Sequence, residues 1–168
     1  MFLENGERRV LPPPQPNLSM KKRTLDALLL QVEQWHQRLG KMKVDVGTRW
    51  APSGIRPASY VRGKDEKRVV WRIHELLSQK ELMQEGKALK HCVASYSRQC
   101  RNGVSSIWSL TSEDASGNLR RRQTIEVSRH KRIVQCRGRM NKLPSDLEQK
   151  IVARWAQAES LSMNLHGY

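Results

Sequence analysis

Two strand-like segments, residues 119–127 and 131–138, are separated by only three residues, and this spacing constrains the fold more than any other feature. Polar and apolar residues alternate in both segments, and so short a connection between them predicts an antiparallel β-hairpin. With Arg129 and His130 as the turn, one face of the hairpin is predicted to carry Arg122, Thr124, Glu126, Ile133, Gln135 and Arg137. That face is too polar for a plain hydrophobic core, so we expect it to line a cleft.

The remaining sequence predicts helices and further strands around this hairpin. Apolar residues at helical spacing predict a helix over residues 21–39, and capping boxes predict helices over residues 79–89 and 146–160. Further strands are predicted over residues 43–46, 58–61, 68–73 and 104–110. The predicted fold class is α+β, with a small antiparallel meander sheet packed against several helices.

The predicted domain organisation has three parts. Residues 1–20 contain a proline-rich run, which is typical of an extended arm. Residues 21–62 combine the first helix with an irregular basic segment. We expect residues 63–168 to form an α+β core that makes one globular domain with residues 21–62.

Positive charge is concentrated in one part of a chain whose net charge is +15. Residues 120–142 hold nine lysines and arginines against one acidic residue, a local charge of +8. A basic surface of this kind attracts polyanions, and the usual partner is nucleic acid. The residues predicted to bind it are Arg120, Arg121, Arg122, Arg129, Lys131, Arg132, Arg139 and Lys142.

Two polar segments carry the residue types that acid–base chemistry requires. The segment over residues 85–96 contains His91, Cys92 and Tyr96 just after a predicted helix end. The second segment follows about forty residues later and contributes Thr124, Glu126, Gln135, Arg137 and Asn141. We expect both segments to converge on one cleft, with His91 and Tyr96 overlooking the polar hairpin face.

The order and spacing of these motifs resemble the PcfJ-like protein family. The resemblance is carried by His91-Cys92-Val93 with a following Tyr96, and then by Gln135-x-x-Gly138-x-x-Asn141, within a match over about residues 70–160. It implies a protein of bacterial mobile elements that is linked to plasmid conjugation, with a relaxosome-like protein complex as a partner. It implies no particular reaction.

The residues leave three functional alternatives open. In the first, the protein binds DNA or RNA without catalysis, and the polar segments are structural. In the second, it cleaves RNA without a metal ion: His91 and Glu126 act as acid and base, and Arg137 stabilises the phosphorane. In the third, His91, Tyr96 and Glu126 serve an NAD-dependent ADP-ribosyl transfer, by analogy of residue types alone.

The cysteines and the apolar residues argue against several other classes. Cys92, Cys100 and Cys136 do not have zinc-site spacing, so we expect no metal ion and no cofactor. The N-terminal residues lack the apolar region of a signal peptide, and no apolar run approaches a membrane span. We therefore expect a cytoplasmic protein that does not contact membranes.

Overall fold

The computed structural model describes Thr24, Ala27, residues 29–35 and residues 47–163 of this chain. Residues 29–35 are helical, which confirms the middle of the helix predicted over residues 21–39. The ends of that helix, the proline-rich arm and the strand predicted over residues 43–46 lie outside the described residues.

Contacts between Cα atoms group the chain into two compact units, residues 1–44 and residues 45–168. The described helical residues 29–35 belong to the first unit, and the sheet and its helices belong to the second. The predicted division at residues 20 and 62 stays a prediction.

The second unit is built on a six-stranded sheet whose strands lie side by side in chain order. Its strands are β1 (Ala58–Arg62), β2 (Val69–Glu75), β3 (Ser105–Asp114), β4 (Leu119–Ser128), β5 (Arg132–Gly138) and β6 (Ser162–Met163). Neighbouring strands are antiparallel except β5 and β6, which are parallel, and the sheet is curled into a half-barrel.

Three helices accompany the sheet: α1 (Gln79–Leu89), α2 (Ser97–Arg101) and α3 (Asp146–Ala158). Ser78 caps α1 by accepting a hydrogen bond from the backbone N–H of Glu81, and Ser145 and Glu148 form a complete capping box on α3. In α1 the carboxylate of Glu81 accepts from the backbone N–H of Leu77 instead, so the predicted box is only partly formed.

The prediction of a small antiparallel meander is wrong, although the molecule is α+β in general. The predicted short segments at 58–61 and 68–73 become β1 and β2, and this hairpin pairs along β3 instead of standing apart. Ser162 and Met163 follow α3 and return beside β5 in the parallel direction. The sheet is therefore larger than predicted and mixed, because segments distant in sequence complete it.

One sheet face, which we call the core face, packs against α3. Trp108 and Trp155 lie at its centre with ring centroids 4.9 Å apart, and both side chains are fully buried. The other buried apolar residues of this cluster are Trp71, Ile73, Leu110, Ile125, Val127, Ile133, Cys136, Ile151, Val152, Ala156 and Leu161. Burial of this many large side chains is the main stabilising contribution to the unit.

A smaller apolar cluster forms where α1 and the turn after it meet the sheet, on the side that we call the polar face. It contains Leu76, Leu82, Val93, Cys100 and Ile107. This cluster seats α1 on the sheet, while the remaining polar-face positions of β3, β4 and β5 carry hydroxyl, amide and charged groups.

Candidate functional site

Strand register determines which polar side chains share the polar face. Thr124 of β4 pairs with Ser109 of β3 on one side and with Arg137 of β5 on the other. Glu126 pairs in the same way with Ile107 and with Gln135. Directly paired residues lie on one face, so these strands present two adjacent rows of side chains beneath α1.

The predicted pairing of the hairpin is wrong by two residues in β5. Glu126 was expected opposite Ile133 and Thr124 opposite Gln135, whereas they pair two positions further along, with Gln135 and Arg137 respectively. One residue of this shift comes from the turn, which is longer than Arg129 and His130 because β4 ends at Ser128 and β5 begins at Arg132. The other comes from a β-bulge at Val127, which leaves Val127 paired with Ile133 on the core face. The bulge removes apolar Ile133 from the polar face, while Thr124, Glu126, Gln135 and Arg137 still share it.

The chain reverses directly after α1, and this reversal places His91 over the sheet. Lys90 adopts a left-handed conformation with φ of 53°, and the backbone N–H of His91 donates to the carbonyl of Gly86 at 3.1 Å. A Cβ atom on Gly86 would lie 2.9 Å from the His91 carbonyl oxygen. Only glycine leaves room for this close approach.

A network centred on Glu85, which we call the Glu85 network, joins α1 to the sheet. The fully buried Glu85 carboxylate accepts hydrogen bonds from Thr124 at 2.8 Å and Ser109 at 2.9 Å. Arg121 Nε forms an ion pair with it at 3.0 Å. The Thr124 hydroxyl oxygen also lies 2.9 Å from His91 Nε2, so the network reaches from the interior to a half-buried imidazole.

The surroundings of Glu85 and His91 favour the neutral form of each. Burial raises the pKa of Glu85, and hydrogen bonds from Thr124 and Ser109 together with the Arg121 charge offset part of that rise. Burial lowers the pKa of His91, and a hydrogen bond to its own backbone opposes this shift. Perturbed pKa values of this kind occur at functional sites and also in structural hydrogen-bond networks.

A second network, the Glu126 network, lies one row along the same face. The amide nitrogen of Gln135 donates to Glu126 and to the Tyr96 hydroxyl, each at 2.9 Å, and Ser105 donates to Glu126 at 2.9 Å. Burial raises the pKa of Tyr96, and the charge of Glu126 and a hydrogen bond to it add to the rise. Tyr96 of the first polar segment therefore contacts Glu126 and Gln135 of the second.

His91 and Tyr96 are hydrogen-bonded within different networks. His91 contacts Thr124, whereas Tyr96 contacts Gln135 and Glu126. Thr124 and Glu126 are two residues apart on one strand, which separates their Cα atoms by about 7 Å.

The three neighbouring arginines at the start of β4 do not share one environment. A second bulge, opposite Leu110 and Thr111 of β3, turns Arg121 toward Glu85. Arg122, which was predicted on the polar face, instead donates to Ser112 at 2.7 Å and lies over the Trp71 ring at 5.6 Å. The predicted placement of Arg122 on the polar face is wrong, because the bulge puts Arg121 on that face and Arg122 on the other.

The predicted nucleic-acid-binding residues form two groups at opposite ends of β4. Arg120, Arg121 and Arg122 lie at its start, and Arg139 and Lys142 lie beside them, because the Gly138 end of β5 pairs with Gln123. Arg129, Lys131 and Arg132 lie at the far end, about 30 Å away along the strand. The polar face lies between these two groups.

The other predicted site residue, Asn141, is exposed in the turn after β5 and adopts a left-handed conformation with φ of 60°. Asparagine tolerates this conformation better than most residues. Within the described part of the chain, no group of three or more His, Cys, Asp or Glu residues is placed to hold a metal ion. No helix in that part is both long and apolar enough to span a bilayer.

The two best-formed hollows of the described surface lie away from both networks. One is lined by residues of β1 and β2, and the other by residues of α3 together with Met163. At the polar face, Glu85, Ser109 and Thr124 are buried beneath α1, whereas His91, Tyr96, Glu126, Gln135 and Arg137 are partly exposed.

Sequence reasoning missed the roles of Glu85, Ser109 and Arg121 in this site. One signal was present: Glu85 falls on the buried stripe of α1 together with Leu82, Gly86 and Leu89. A carboxylate on such a stripe needs partners from the element that it faces, because an unpaired buried charge is costly. Ser109 gave no comparable signal, since its neighbours in the strand are also buried.

Comparison with known proteins gives one match. The family model described as PcfJ-like protein matches residues 61–152, which is just over half of the chain. The chain belongs to the PcfJ-like protein family. No curated protein and no solved structure matches it significantly. The matched region of this PcfJ-like protein runs from β1 into α3 and contains every residue of the Glu85 and Glu126 networks.

Proposed function

We propose that this PcfJ-like protein binds a nucleic acid across the polar face of its sheet. The observation that carries the proposal is that the polar face presents Arg137, which pairs with Thr124 and is partly exposed, and Arg121, whose guanidinium contacts Glu85 on the same face. Guanidinium groups bind phosphate oxygens well, and positive charge held on a sheet favours a backbone ligand. A role in DNA or RNA processing or conjugative transfer of a bacterial mobile element is part of this proposal and rests on family membership.

The balance of charge supports a polyanionic ligand. Residues 47–163 contain 23 lysines and arginines, yet three ion pairs are formed within that part of the chain. On the polar face, Glu85 is buried against Arg121, and Glu126 accepts hydrogen bonds from Ser105 and Gln135. Most of the positive charge is therefore left for a ligand, which would attract nucleic acid over long distances.

The shape of the surface supports a polymer over an enclosed small molecule. Sites for cofactors such as NAD are usually concave and bury most of the ligand. Two hollows of the described part contain no residue of the Glu85 or Glu126 networks, so neither of them brings His91, Tyr96 and Glu126 together as ADP-ribosyl transfer would require.

The test is fluorescence anisotropy with short labelled duplex DNA and single-stranded RNA over a range of salt concentrations. Arg137→Gln removes one cation from the polar face, and Lys150→Gln removes one from α3 as a matched control. On duplex DNA, Arg137→Gln is expected to reduce the slope of log affinity against log salt by about 0.9, the change for one phosphate contact. Lys150→Gln is expected to leave the slope unchanged.

Two outcomes would count against binding at this face. The first is wild-type affinity that does not depend on salt. The second is an equal effect of Arg137→Gln and Lys150→Gln, which would place binding elsewhere on the surface.

Metal-independent RNA cleavage is a second candidate, favoured by one observation. His91 Nε2 contacts Thr124, and Arg137 is the strand partner of that same residue, with Glu126 one row away. An imidazole, a guanidinium and a carboxylate on one face can transfer protons and stabilise a phosphorane. In this reaction His91 and Glu126 would act as acid and base, and Arg137 as the electrostatic stabiliser.

Cleavage is tested with labelled RNA in the presence of EDTA. His91→Ala and Glu126→Gln are each expected to abolish it, whereas Cys92→Ser changes an exposed neighbour and is expected to have no effect. Cleavage that persists in both site variants would come from a contaminating nuclease. Binding without cleavage would leave the first proposal standing and exclude the second.

A further inference from the structure

Three groups of the Glu85 network form a continuous line from the interior to the surface. Thr124 Oγ1 lies 2.8 Å from Glu85 Oε1 and 2.9 Å from His91 Nε2. Glu85 is fully buried, Thr124 is 7% exposed and His91 is half-buried. Both distances lie within the range of hydrogen bonds.

The hydroxyl group of Thr124 has one hydrogen, and this restricts the protons on its two partners. If Thr124 donates to Glu85, then His91 Nε2 must carry a hydrogen and donate to Thr124. If Thr124 donates to His91, then Glu85 Oε1 must carry a hydrogen and donate to Thr124. With a hydrogen on His91 Nδ1 in both cases, the two arrangements contain the same number of protons.

We propose that Glu85, Thr124 and His91 form a proton relay in which the carboxyl and the imidazole share one proton through the hydroxyl. In the transfer, the hydrogen on Glu85 Oε1 moves to Thr124 Oγ1 as the hydrogen of Thr124 moves to His91 Nε2. The carboxyl becomes a carboxylate and the imidazole becomes an imidazolium, while Thr124 remains a hydroxyl. The relay does not depend on nucleic-acid binding.

The surroundings accommodate both arrangements. Glu85 Oε2 accepts from Ser109 Oγ and from Arg121 Nε, and these donors stabilise the carboxylate without competing for Oε1. Burial raises the pKa of Glu85 and lowers the pKa of His91, which favours the neutral pair. Burial therefore favours the neutral pair, while the Ser109 and Arg121 donors favour the carboxylate arrangement.

The other charged groups that face the relay come from each neighbouring element. Arg137 on β5 pairs with Thr124, and His74 on β2 pairs with Ser109. Burial lowers the pKa of His74, with the Arg121 charge acting in the same direction and Glu81 of α1 opposing it. Arg121 is the cation in contact with Glu85, and its positive charge favours the carboxylate form of Glu85.

The relay gives His91 an internal proton source. An imidazole that passes a proton to a ligand can be reprotonated from Glu85 without waiting for solvent. Because the two groups interact through one hydroxyl, they are expected to titrate as a pair rather than separately. Glu85 is thus a positioning residue that acts on His91 through Thr124.

The test is an NMR titration of the whole chain that follows the ¹⁵N shifts of the His91 ring and the ¹³C shift of the Glu85 carboxyl. In wild type, both groups are expected to show the same two steps, separated by more than about one pH unit. Thr124→Val breaks the relay, so each group is expected to show a single step of its own. Thr124→Ser restores the hydroxyl and is expected to restore the shared steps.

Two further variants keep the test decisive. Thr111→Val removes the hydroxyl of another buried threonine, which contacts the Arg72 carbonyl, and is expected to leave the shared steps unchanged. Glu85→Gln is expected to leave His91 with one step. Separate single steps for Glu85 and His91 in the wild-type protein would overturn the relay, and this measurement does not require any variant to fold. Unchanged titration curves in a folded Thr124→Val protein would overturn it too.

Discussion

Thr124 donates a hydrogen bond of 2.8 Å to the buried carboxylate of Glu85, although the two residues are 39 positions apart in the chain. The bond joins α1 to the middle of β4, and Ser109 and Arg121 complete the partners of the carboxylate. One acidic side chain therefore ties a helix to two strands of the sheet.

Loss of Glu85 is expected to destabilise the fold strongly. Glu85→Ala leaves Arg121, Ser109 and Thr124 without their shared acceptor, and a buried hydrogen-bonding group left unsatisfied costs about 1–3 kcal/mol. Urea denaturation followed by tryptophan fluorescence measures the free energy of unfolding. Glu66→Ala, at an exposed position, is the control, and an equal effect of both changes would contradict this assignment.

Gly86→Ala is expected to destabilise the protein even though alanine is the better helix former. The added Cβ would lie 2.9 Å from the backbone carbonyl of His91, and overpacking against backbone costs about 1–3 kcal/mol. Intrinsic propensity alone predicts a gain of about 1 kcal/mol. The midpoint of urea denaturation distinguishes these two expectations. The exposed Ala88→Gly change on the same helix measures the effect of helix propensity alone. A higher midpoint for Gly86→Ala would show that the close approach is relaxed in solution.

Thiol labelling is expected to separate the three cysteines. Burial raises the pKa of both Cys100 and Cys136 to about 12, and both side chains are inaccessible. Cys92 is exposed, although partial burial of its thiol raises its pKa as well. At a pH of about 8, iodoacetamide followed by mass spectrometry should modify Cys92 alone in the native protein and all three residues after denaturation. Rapid native labelling of Cys136 would contradict its burial in the apolar core.

Stability at high pH is expected to depend on Tyr96. Burial, with Glu126 contributing further, raises the pKa of its hydroxyl above the ordinary value of 10.0. Below pH 10.0 the group is protonated in both states, and its contribution to stability is fully present. Above that pH the unfolded chain loses the proton first, so the free energy of unfolding falls until the raised pKa is passed.

The measurement compares this decline in wild type and in Tyr96→Phe, which cannot ionise. We expect a shallower decline in the variant, and Tyr60→Phe provides a control for the other described tyrosine with a raised pKa. Identical declines in wild type and Tyr96→Phe would show that the hydroxyl does not sense Glu126.

Local patterns predicted the elements of this fold well, because caps and periodicity act over a few residues. Ser78 and Ser145 begin their helices as expected, and the hairpin of β4 and β5 forms where the alternation places it. The predicted helix over residues 79–89 has those bounds in the structure. Sheet size was not predictable in this way, since the pairing of β6 with β5 depends on how α3 packs.

Strand alternation brought Thr124, Glu126, Gln135 and Arg137 to one face, and this grouping is present in the structure. The exact pairs were not accessible from alternation, because each bulge adds one residue that the period of two does not anticipate. The bulges at Val127 and opposite Leu110 were therefore not predicted. The placement of Arg121 instead of Arg122 on the polar face was not predicted either.

β4 contributes alternate side chains to two different surfaces: Thr124 and Glu126 belong to the hydrogen-bonded networks, and Ile125 and Val127 belong to the apolar centre of the molecule. A one-residue slip of this strand would exchange both sets together, so neither surface can rearrange alone. A ligand that binds the polar face is consequently expected to reduce local opening along the whole backbone of β4. Slower amide hydrogen exchange along this strand would then indicate that a ligand is bound, even before the ligand is identified.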